Sequence, residues 1–268
     1  MSDYLIREYQ TNDVPELTRL WTEVFDEDER MLSAFFAALG HMGSGLAAVM
    51  DGKIVGAGYV LDGQKLVTEK ENIPLGHIYG IAVYPEYRSH GIGRAIVKAT
   101  AELAKKRGAR IICCEPANQS LVRWYDDVLG MKVALRRQEK TLAAGNYVPC
   151  RPISAEEYAL RREQWLYDKN CVVLTKAALG FEEDMLSIYG GSFFEVDGGI
   201  AAAYLWEDYA IIRELLCPDD IWAHAASSVA CAIGAKEAKA YVSSKDGEAY
   251  ILSDKPLPPD CIWNLSFN

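Results

Sequence analysis

The stretch from His77 to Arg94 constrains the fold of this chain more than any other. Its first part, Ile78 to Val83, is a short apolar run with turn-forming residues, Gly76 and Pro85, on either side. A short apolar run bounded by turn formers is typical of a buried β-strand. The sequence therefore predicts a strand in the interior of the protein at this point.

A glycine-containing loop follows this strand and leads directly into a predicted helix. Apolar residues recur at intervals of three and four after the loop, and Gly108 stands where this helix is expected to end. The first N–H groups of a helix have no partner within the helix, and the helix dipole favours negative charge there. Glycine lets a ligand approach the backbone where a Cβ would collide. The loop from Arg88 to Gly93 therefore predicts a phosphate-binding site.

The first half of the chain has the pattern β-α-α-β-β-β-α-β-α-β, a mixed α/β layout. Two signals are strong: the Asp51-Gly52 pair predicts a hairpin turn, and Gly130 closes a predicted helix over Gln119 to Leu129. The polar insert from Asp62 to Gly76 is expected to be a connection. The phosphate site then lies at the carboxyl end of a central strand.

Three motifs occur in order around this site. The loop itself is Arg88-Ser89-His90-Gly91-Ile92-Gly93, its lead-in is Val83-Tyr84-Pro85-Glu86-Tyr87, and Asn118, Tyr125, Gly130 and Met131 follow downstream. In these motifs, residues 1–145 resemble the GCN5-related N-acetyltransferase (GNAT) superfamily. The resemblance implies the mixed-sheet fold of acyl-CoA N-acyltransferases and transfer of an acetyl group from acetyl-CoA to an amine.

The resemblance also implies which residues hold the acetyl-CoA cosubstrate. The backbone of the strand before the loop would pair with the pantetheine, the loop N–H groups would bind the pyrophosphate, and the arginines would add charge. The implied binding residues are Ile81, Ala82, Val83, Arg88, Ser89, His90, Gly91, Ile92, Gly93, Arg94 and Asn118. Asn118 also precedes a helix, so a role as N-cap is an equal alternative.

Tyr125 is the catalytic residue that the resemblance implies, because a phenol can protonate or hydrogen-bond the departing thiolate. Periodicity alone favours a core tyrosine, since Leu121, Trp124 and Val128 share its helix. The general base is not assigned. The candidates are Glu23, Asp26, His77, Tyr79 and Glu115, with the carboxylate of the C-terminal Asn268 as a further alternative.

The second half of the chain, residues 150–268, carries an echo of the first. A turn at Asp197-Gly198 is followed by two strands, a helix and another strand, as after Asp51-Gly52. Chance similarity of short apolar strands is the alternative explanation. Asp219, Asp220 and a bulky Trp222 occupy the place of the glycine loop, and carboxylates repel phosphate. We therefore expect a second, partial GNAT-like domain without a CoA site, which walls off the acceptor pocket.

Composition excludes several classes of partner. The net charge of −10 disfavours nucleic acid and anionic membranes. The acceptor is expected to be a small-molecule or peptide amine, and a homodimer is left open. Seven irregularly spaced cysteines, no long apolar run and no signal-peptide pattern predict reduced thiols in the cytoplasm. The four histidines show no metal-binding spacing, so no metal is expected. The alternative function is a non-catalytic acyl-CoA-binding or regulatory protein.

Overall fold

Strands and helices alternate along most of the chain. The structure, a computed structural model, describes residues 4–263 and residue 265. Its strands are β1 (Tyr4–Glu8), β2 (Gly43–Met50), β3 (Lys53–Leu61), β4 (Gln64–Val67), β5 (Asn72–Val83), β6 (Ile111–Cys114), β7 (Lys132–Ala143), β8 (Cys150–Ile153), β9 (Cys171–Leu174), β10 (Ser192–Val196), β11 (Gly199–Trp206), β12 (Tyr209–Leu216), β13 (Glu237–Ser243) and β14 (Ala249–Ser253). Its α-helices are α1 (Val14–Phe25), α2 (Glu29–Met42), α3 (Ile92–Lys106), α4 (Gln119–Leu129), α5 (Ala155–Trp165), α6 (Lys176–Ile188) and α7 (Trp222–Ile233). No helix within these residues is both long and apolar enough to cross a membrane. The mixed α/β fold is as predicted.

Local sequence signals located the main elements of the first half. Helix α4 covers the predicted residues, and Gly130 takes a φ of 70° directly after it. In the turn between β2 and β3, Asp51 and Gly52 have φ values of 50° and 77°. Two successive positive φ values match the twist of paired antiparallel strands. These turns are therefore set by short-range chemistry.

The polar insert, residues 62–76, is not the connection that the sequence suggested. It contains β4 and the beginning of β5, which pair antiparallel as a second hairpin. β4 also pairs with β9 from the second half, in a register from Gln64–Leu174 to Val67–Cys171. The prediction was wrong because a strand of four residues depends on pairing partners that are distant in sequence, and only two of these four residues, Leu66 and Val67, are apolar.

One continuous sheet runs through both halves of the chain. The strand order is β1-β2-β3-β5-β6-β14-β7-β13-β12-β11-β10-β8. At its centre the halves exchange strands: β14, from the second half, lies between β6 and β7, while β7 pairs with β13 over seven residue pairs. The strands of residues 1–145 and of residues 150–268 therefore share one sheet, and each half is completed by a strand of the other.

Helices cover both faces of this sheet. Successive residues of β3 point to opposite sides, as in any strand: Tyr59 packs with α1 and α2, whereas Val60 packs with α3 and α4. The first of these cores extends into the second half, where it includes residues of α5 and α6. The rings of Phe35 in α2 and Phe181 in α6 lie 5.9 Å apart, centroid to centroid. The two halves are therefore joined by a shared apolar core as well as by the sheet.

The second half contains a hairpin, a strand, a helix and a strand in the same order as the first half, without a counterpart of β4. A hairpin of β10 and β11 turns at Asp197-Gly198, and then β12, α7 and β13 follow. The parallel pair β12 and β13, paired from Tyr209–Glu237 to Ile212–Ala240, corresponds to the parallel pair β5 and β6. The same strand–helix–strand unit thus occurs once in each half.

Candidate active site

Strands β5 and β6 separate in the middle of the sheet. They pair in parallel only from Leu75–Ile111 to His77–Cys113, and β6 ends at the next residue. β5 continues to Val83, paired with β3 on its other edge. Among the described residues, no strand pairs with the β6-facing edge of β5 from Ile78 to Val83. Unpaired backbone of this kind can bind an extended ligand as an additional strand would bind.

A β-bulge lies in β5 within the separated segment. The register with β3 shifts between Ala57 and Tyr59, and Gly80 takes a φ of 56°. A Cβ on Gly80 would lie 2.3 Å from Cζ2 of Trp21. The position therefore requires glycine for its conformation and for the close packing of α1. Bulges often re-aim a strand beside an active site.

The loop after β5 leaves the start of α3 open. Gly91 is the N-cap of this helix, with a φ of 81°, and no side chain caps the first turn. A Cβ on Gly91 would meet no atom within 4 Å, and one on Gly93 would meet only Val83, at 3.7 Å. The protein's own packing therefore leaves open space at Gly91 and one ordinary contact at Gly93. His90 lies beside this space, with its Nδ1 2.7 Å from the carbonyl oxygen of Arg88.

The two arginines expected at a pyrophosphate have partners in this structure. Nε of Arg88 donates to the carbonyl oxygen of Val83 at 3.0 Å and so ties the loop to the end of β5. Arg94 pairs with Asp127 of α4, and both side chains are exposed. Exposed ion pairs contribute about 0–1 kcal/mol, so Arg94 can exchange this partner for a phosphate at little cost. Their roles toward a ligand remain predictions.

Asn118 is the N-cap of α4. Its Oδ1 accepts hydrogen bonds from the backbone N–H groups of Ser120 and Leu121, at 3.0 and 3.1 Å. Of the two alternatives predicted for this residue, the N-cap is thus observed. Asn118 also lines the cavity described below. Because Oδ1 is engaged in the cap, the amide nitrogen of Asn118 is the atom that would contact a pantetheine. This contact stays a prediction.

Tyr125 is both a core residue and a cavity residue. Its side chain packs with Cys114 and Val122, its ring centroid lies 5.0 Å from that of Trp124, and the residue is 8% exposed. Burial, with a smaller effect of Cys114, raises the pKa of the phenol well above its usual value. The hydroxyl donates to no side chain or carbonyl in the described part of the chain, and the residue lines the cavity. It is thus a protonated phenol beside open space.

Both halves line a single cavity of about 1930 Å³. Ligand pockets commonly measure about 300–1,000 Å³, so this cavity has room for a cosubstrate and an acceptor together. The predicted site residues that line it are Ile81, Val83, Arg88, Gly93, Asn118 and Tyr125. The other predicted residues, Ala82, Ser89, His90, Gly91, Ile92 and Arg94, do not line it. The aromatic and charged residues of the second half that line it are Phe181, Glu182, Tyr189, Tyr204, Trp206, Arg213, Tyr241, Asp246, Glu248 and Tyr250.

The five candidate bases differ in position. Glu23 and Asp26 are exposed and do not line the cavity, whereas His77, Tyr79 and Glu115 do. Burial, together with Arg137 and Arg213, lowers the pKa of His77 to about 3, so its imidazole is neutral at neutral pH.

The other two candidate bases that line the cavity, Tyr79 and Glu115, are poorly placed to accept a proton. Burial raises the pKa of the Tyr79 phenol above its usual value, so this side chain keeps its proton at neutral pH. Glu115 is paired with Arg137. The terminal carboxylate of Asn268 lies outside the described residues.

Sequence reasoning missed two charged residues of the second half. Glu182 and Arg213 line the cavity, and Nη2 of Arg213 donates to Oε1 of Glu182 at 2.9 Å. A signal for Glu182 exists in the sequence: the buried face of α6 consists of Ala178, Phe181, Glu182, Met185 and Leu186, at the spacing of an amphipathic helix. A carboxylate in that apolar stripe indicates a buried charge with a partner.

Residues that could hold a metal are not grouped in the described part of the chain. No set of three or more histidine, cysteine, aspartate or glutamate side chains there is arranged as a metal site. The candidate site is therefore built from backbone N–H groups, aromatic rings and ion pairs.

One protein-family model matches the sequence of this chain. The model of the acetyltransferase (GNAT) family matches residues 7–131. This range includes the separated strands, the glycine loop and α4. No curated protein is similar enough to the chain to match.

Solved structures show the same fold along nearly the whole chain. A GCN5-related N-acetyltransferase from Kribbella flavida is 18% identical with a TM-score of 0.68, over 94% of this chain and 70% of that one. A probable N-acyltransferase from Enterococcus faecalis V583 is 14% identical with a TM-score of 0.68, over 94% and 72%. A GCN5-related N-acetyltransferase from Anabaena variabilis ATCC 29413 is 13% identical with a TM-score of 0.69, over 94% and 72%. These structures thus share the fold of this chain, including that of its second half.

Proposed function

We propose that the chain, whose residues 7–131 match the model of the acetyltransferase (GNAT) family, is an N-acetyltransferase that moves an acetyl group from acetyl-CoA to a primary amine by direct attack. One observation carries the proposal: the unpaired edge of β5 lies directly before the uncapped start of α3. An extended arm ending in a diphosphate fits this succession of features. Acetyl-CoA, when bound, supplies the acetyl group as a thioester.

The start of α3 fits a diphosphate. Its first N–H groups have no side-chain cap, and the space above Gly91 is open because a Cβ there would meet no atom within 4 Å. Oriented N–H groups and the positive end of the helix dipole stabilise an anion at this position. Arg88 and Arg94 add positive charge within reach of the same loop. In this proposal the backbone of Ile81, Ala82 and Val83 binds the pantetheine arm.

Tyr125 is the proposed proton donor to the sulfur. The amine nitrogen forms a bond to the acetyl carbon, the carbon–sulfur bond breaks, and the sulfur takes up a proton or a hydrogen bond. A phenol with a raised pKa remains protonated throughout the neutral pH range, so it is available as a proton donor at any pH in that range. Its unengaged hydroxyl beside the cavity supports this role.

The acceptor side of the cavity lies where the two halves meet. The second half contributes ten aromatic and charged residues to the wall, so its proposed role is to shape the acceptor site. A net charge of −10 supports a cationic small molecule or peptide amine as acceptor. All seven cysteines carry free thiols, which supports the cytoplasm as the proposed compartment.

Thiol release from acetyl-CoA, measured with a panel of primary amines, tests the proposal. We expect turnover with at least one amine, and Tyr125→Phe should lower kcat by about 100-fold or more without changing the affinity for CoA. Tyr167→Phe is the matched control, because Tyr167 is 76% exposed. Tight acetyl-CoA binding without turnover of any amine would instead support a non-catalytic acyl-CoA-binding protein. A fully active Tyr125→Phe enzyme would remove the proton-donor role alone.

A further inference from the structure

Side chains of both halves meet along the cavity and form a polar group, which we call the interhalf cluster: Glu27, Tyr79, Glu182, Tyr189 and Arg213. The hydroxyl of Tyr189 donates to Oε1 of Glu27 at 2.5 Å, and Arg213 donates to Glu182. Tyr79 lines the same cavity, and the charges of Arg213, Glu27 and Glu182 act on its phenol. Two carboxylates from opposite halves thus face the same part of the cavity.

Glu182 is incompletely satisfied. The residue is 1% exposed, and its Oε2 has no hydrogen-bond partner although Oε1 is bound by Arg213. A buried carboxylate oxygen without a donor costs free energy, since it has lost its water and gained nothing in return. A ligand that brings an N–H donor to this wall of the cavity would remove that cost.

The interhalf cluster also has an excess of negative charge. Burial and the neighbouring Glu27 raise the pKa of the Tyr189 phenol, and burial raises that of Tyr79, so both side chains are neutral. Burial raises the pKa of Glu182, and the Arg213 guanidinium opposes this rise. With Glu27 and Glu182 ionised, the cluster itself holds two negative charges and the one positive charge of Arg213. Outside the cluster, Arg162 and Glu214 also act on Glu182, and these two side chains are paired with each other. A second cation would balance the cluster and hold both carboxylates in the ionised form.

The charges of the whole cavity are unbalanced in the same direction. Its carboxylates are Glu27, Glu115, Glu139, Glu182, Asp246 and Glu248, and its arginines are Arg88, Arg137 and Arg213. Two of the arginines are already paired, Arg137 with Glu115 and Arg213 with Glu182. The third, Arg88, lies at the glycine loop. The cavity as a whole therefore attracts cations.

Aromatic rings line this part of the cavity. The ring centroid of Tyr189 lies 5.5 Å from that of Tyr204 and 5.8 Å from that of Trp206. Both of these residues belong to β11 of the second half. The faces of such rings attract cations through their quadrupole. Carboxylates and aromatic faces together form an environment suited to an organic ammonium group.

We propose that the acceptor carries a second positive charge, distant from the amine that is acetylated, and that Glu27 and Glu182 bind this distal cation between the two halves. The inference rests on the proposed function, which places the thioester along β5. Tyr79 belongs to the separated segment of β5, directly before Gly80, and it lines the same cavity as Glu27 and Glu182. A group bound there is one side chain away from the reacting backbone segment. Short linear diamines are the class of acceptor that spans this separation.

Binding can be measured without turnover. The protein is saturated with CoA, which carries no acetyl group, and titrated calorimetrically with 1,4-diaminobutane, butylamine and 4-aminobutanoate. These three amines share one end and differ in the charge of the other end. We expect the diamine to bind about 10-fold or more tightly than butylamine, the range for one charge-assisted contact. The amino acid should bind more weakly than butylamine, because its carboxylate faces Glu27 and Glu182.

Two variants locate the effect. Glu27→Gln and Glu182→Gln should each remove most of the preference for the diamine, leaving less than about a threefold difference, while the affinity for butylamine is unchanged. Glu183→Gln is the control, because Glu183 is exposed on the same helix. Should Glu182→Gln be too unstable to purify, Glu27→Gln decides the matter alone, since Glu27 is only half-buried.

Equal affinity for the three amines would overturn the inference, as would a diamine preference that survives in both variants. These outcomes are separate from failure of the proposed function. An enzyme that acetylates monoamines and diamines equally well would refute the distal cation site and leave the acetyltransferase intact. A protein that prefers the diamine but never releases thiol from acetyl-CoA would keep the site and refute the activity.

Discussion

Gly91→Ala is the substitution that best tests the proposed diphosphate site. In the free protein a Cβ at this position would meet no atom within 4 Å, so the side chain adds no internal clash. It would stand, however, in the space directly above the uncapped first turn of α3. The substitution therefore leaves the protein's packing alone and obstructs only what approaches the helix from outside.

The same helix supplies a matched control. Gly108, just beyond the C-terminal end of α3, also has a positive φ, 99°, and its Cβ would also meet nothing within 4 Å. An alanine in the left-handed region costs about 1–2 kcal/mol at either position. Both variants should therefore lose this amount of unfolding free energy in urea titrations. Any difference between them in ligand binding then comes from location and not from backbone strain.

The loss in binding follows from the contacts displaced. Each hydrogen bond to a charged group contributes about 1.5–3 kcal/mol. An alanine that displaces one of them from the diphosphate should weaken CoA binding by about 10- to 150-fold. Gly108→Ala should bind CoA as the unmodified protein does. Isothermal titration calorimetry of both variants measures this difference directly.

A truncated ligand makes the test specific. Pantetheine contains the thiol arm of CoA and lacks the diphosphate, so Gly91→Ala should bind it with unchanged affinity. If Gly91→Ala keeps full affinity for CoA, or loses affinity for pantetheine to the same extent, the diphosphate does not lie at this helix. Equal losses of CoA binding in Gly91→Ala and Gly108→Ala would likewise refute the reasoning.

Three further predictions concern the framework of the site. Burial lowers the pKa of His77 from 6.5 to about 3, so between these pH values only the unfolded chain takes up the proton. The contribution of His77 to the unfolding free energy is therefore complete above pH 6.5 and should fall by about 1.4 kcal/mol per pH unit below it. His77→Gln should abolish this pH dependence in urea titrations at pH 6.5 and 5. Gly80→Ala should cost about 2–5 kcal/mol of unfolding free energy from backbone strain and overpacking, and Trp21→Ala in the same chain should recover part of it if the contact with Trp21 is the cause. Removing residues 248–268 deletes β14 from between β6 and β7, so the shortened chain should be insoluble or bind no CoA; normal CoA affinity would show that the exchanged strand is dispensable.

Several features of the site could be predicted from short stretches of sequence. The glycine loop, the start of α3 and the boundaries of α4 depend on residues close together in the chain, such as Gly91, Asn118 and Gly130. Capping, left-handed backbone and helix periodicity act over a few residues, and their signals are therefore local. The resemblance of these motifs to a known family then implied the cosubstrate and the proton donor.

Other features depend on partners far along the chain. β4 is a strand of four residues that forms only because β5 and β9 pair with it. Glu182 lies in a run of three acidic residues, and only its place on the buried face of α6, opposite Arg213, distinguishes it from its exposed neighbours. Glu27 belongs to another acidic run and is distinguished by Tyr189 of the other half.

The sequence alone determined the strand, loop and helix that form the anion cradle, because backbone conformation at glycines and helix ends is decided by neighbouring residues. It also predicted a hairpin, strand, helix and strand in the second half, in the order of the first. The tertiary structure decided that β14 and β7 are exchanged at the centre of one sheet, and that carboxylates of both halves face one cavity. Strand pairing and the burial of charge depend on contacts between segments that are distant in sequence, and patterns of neighbouring residues do not specify those contacts.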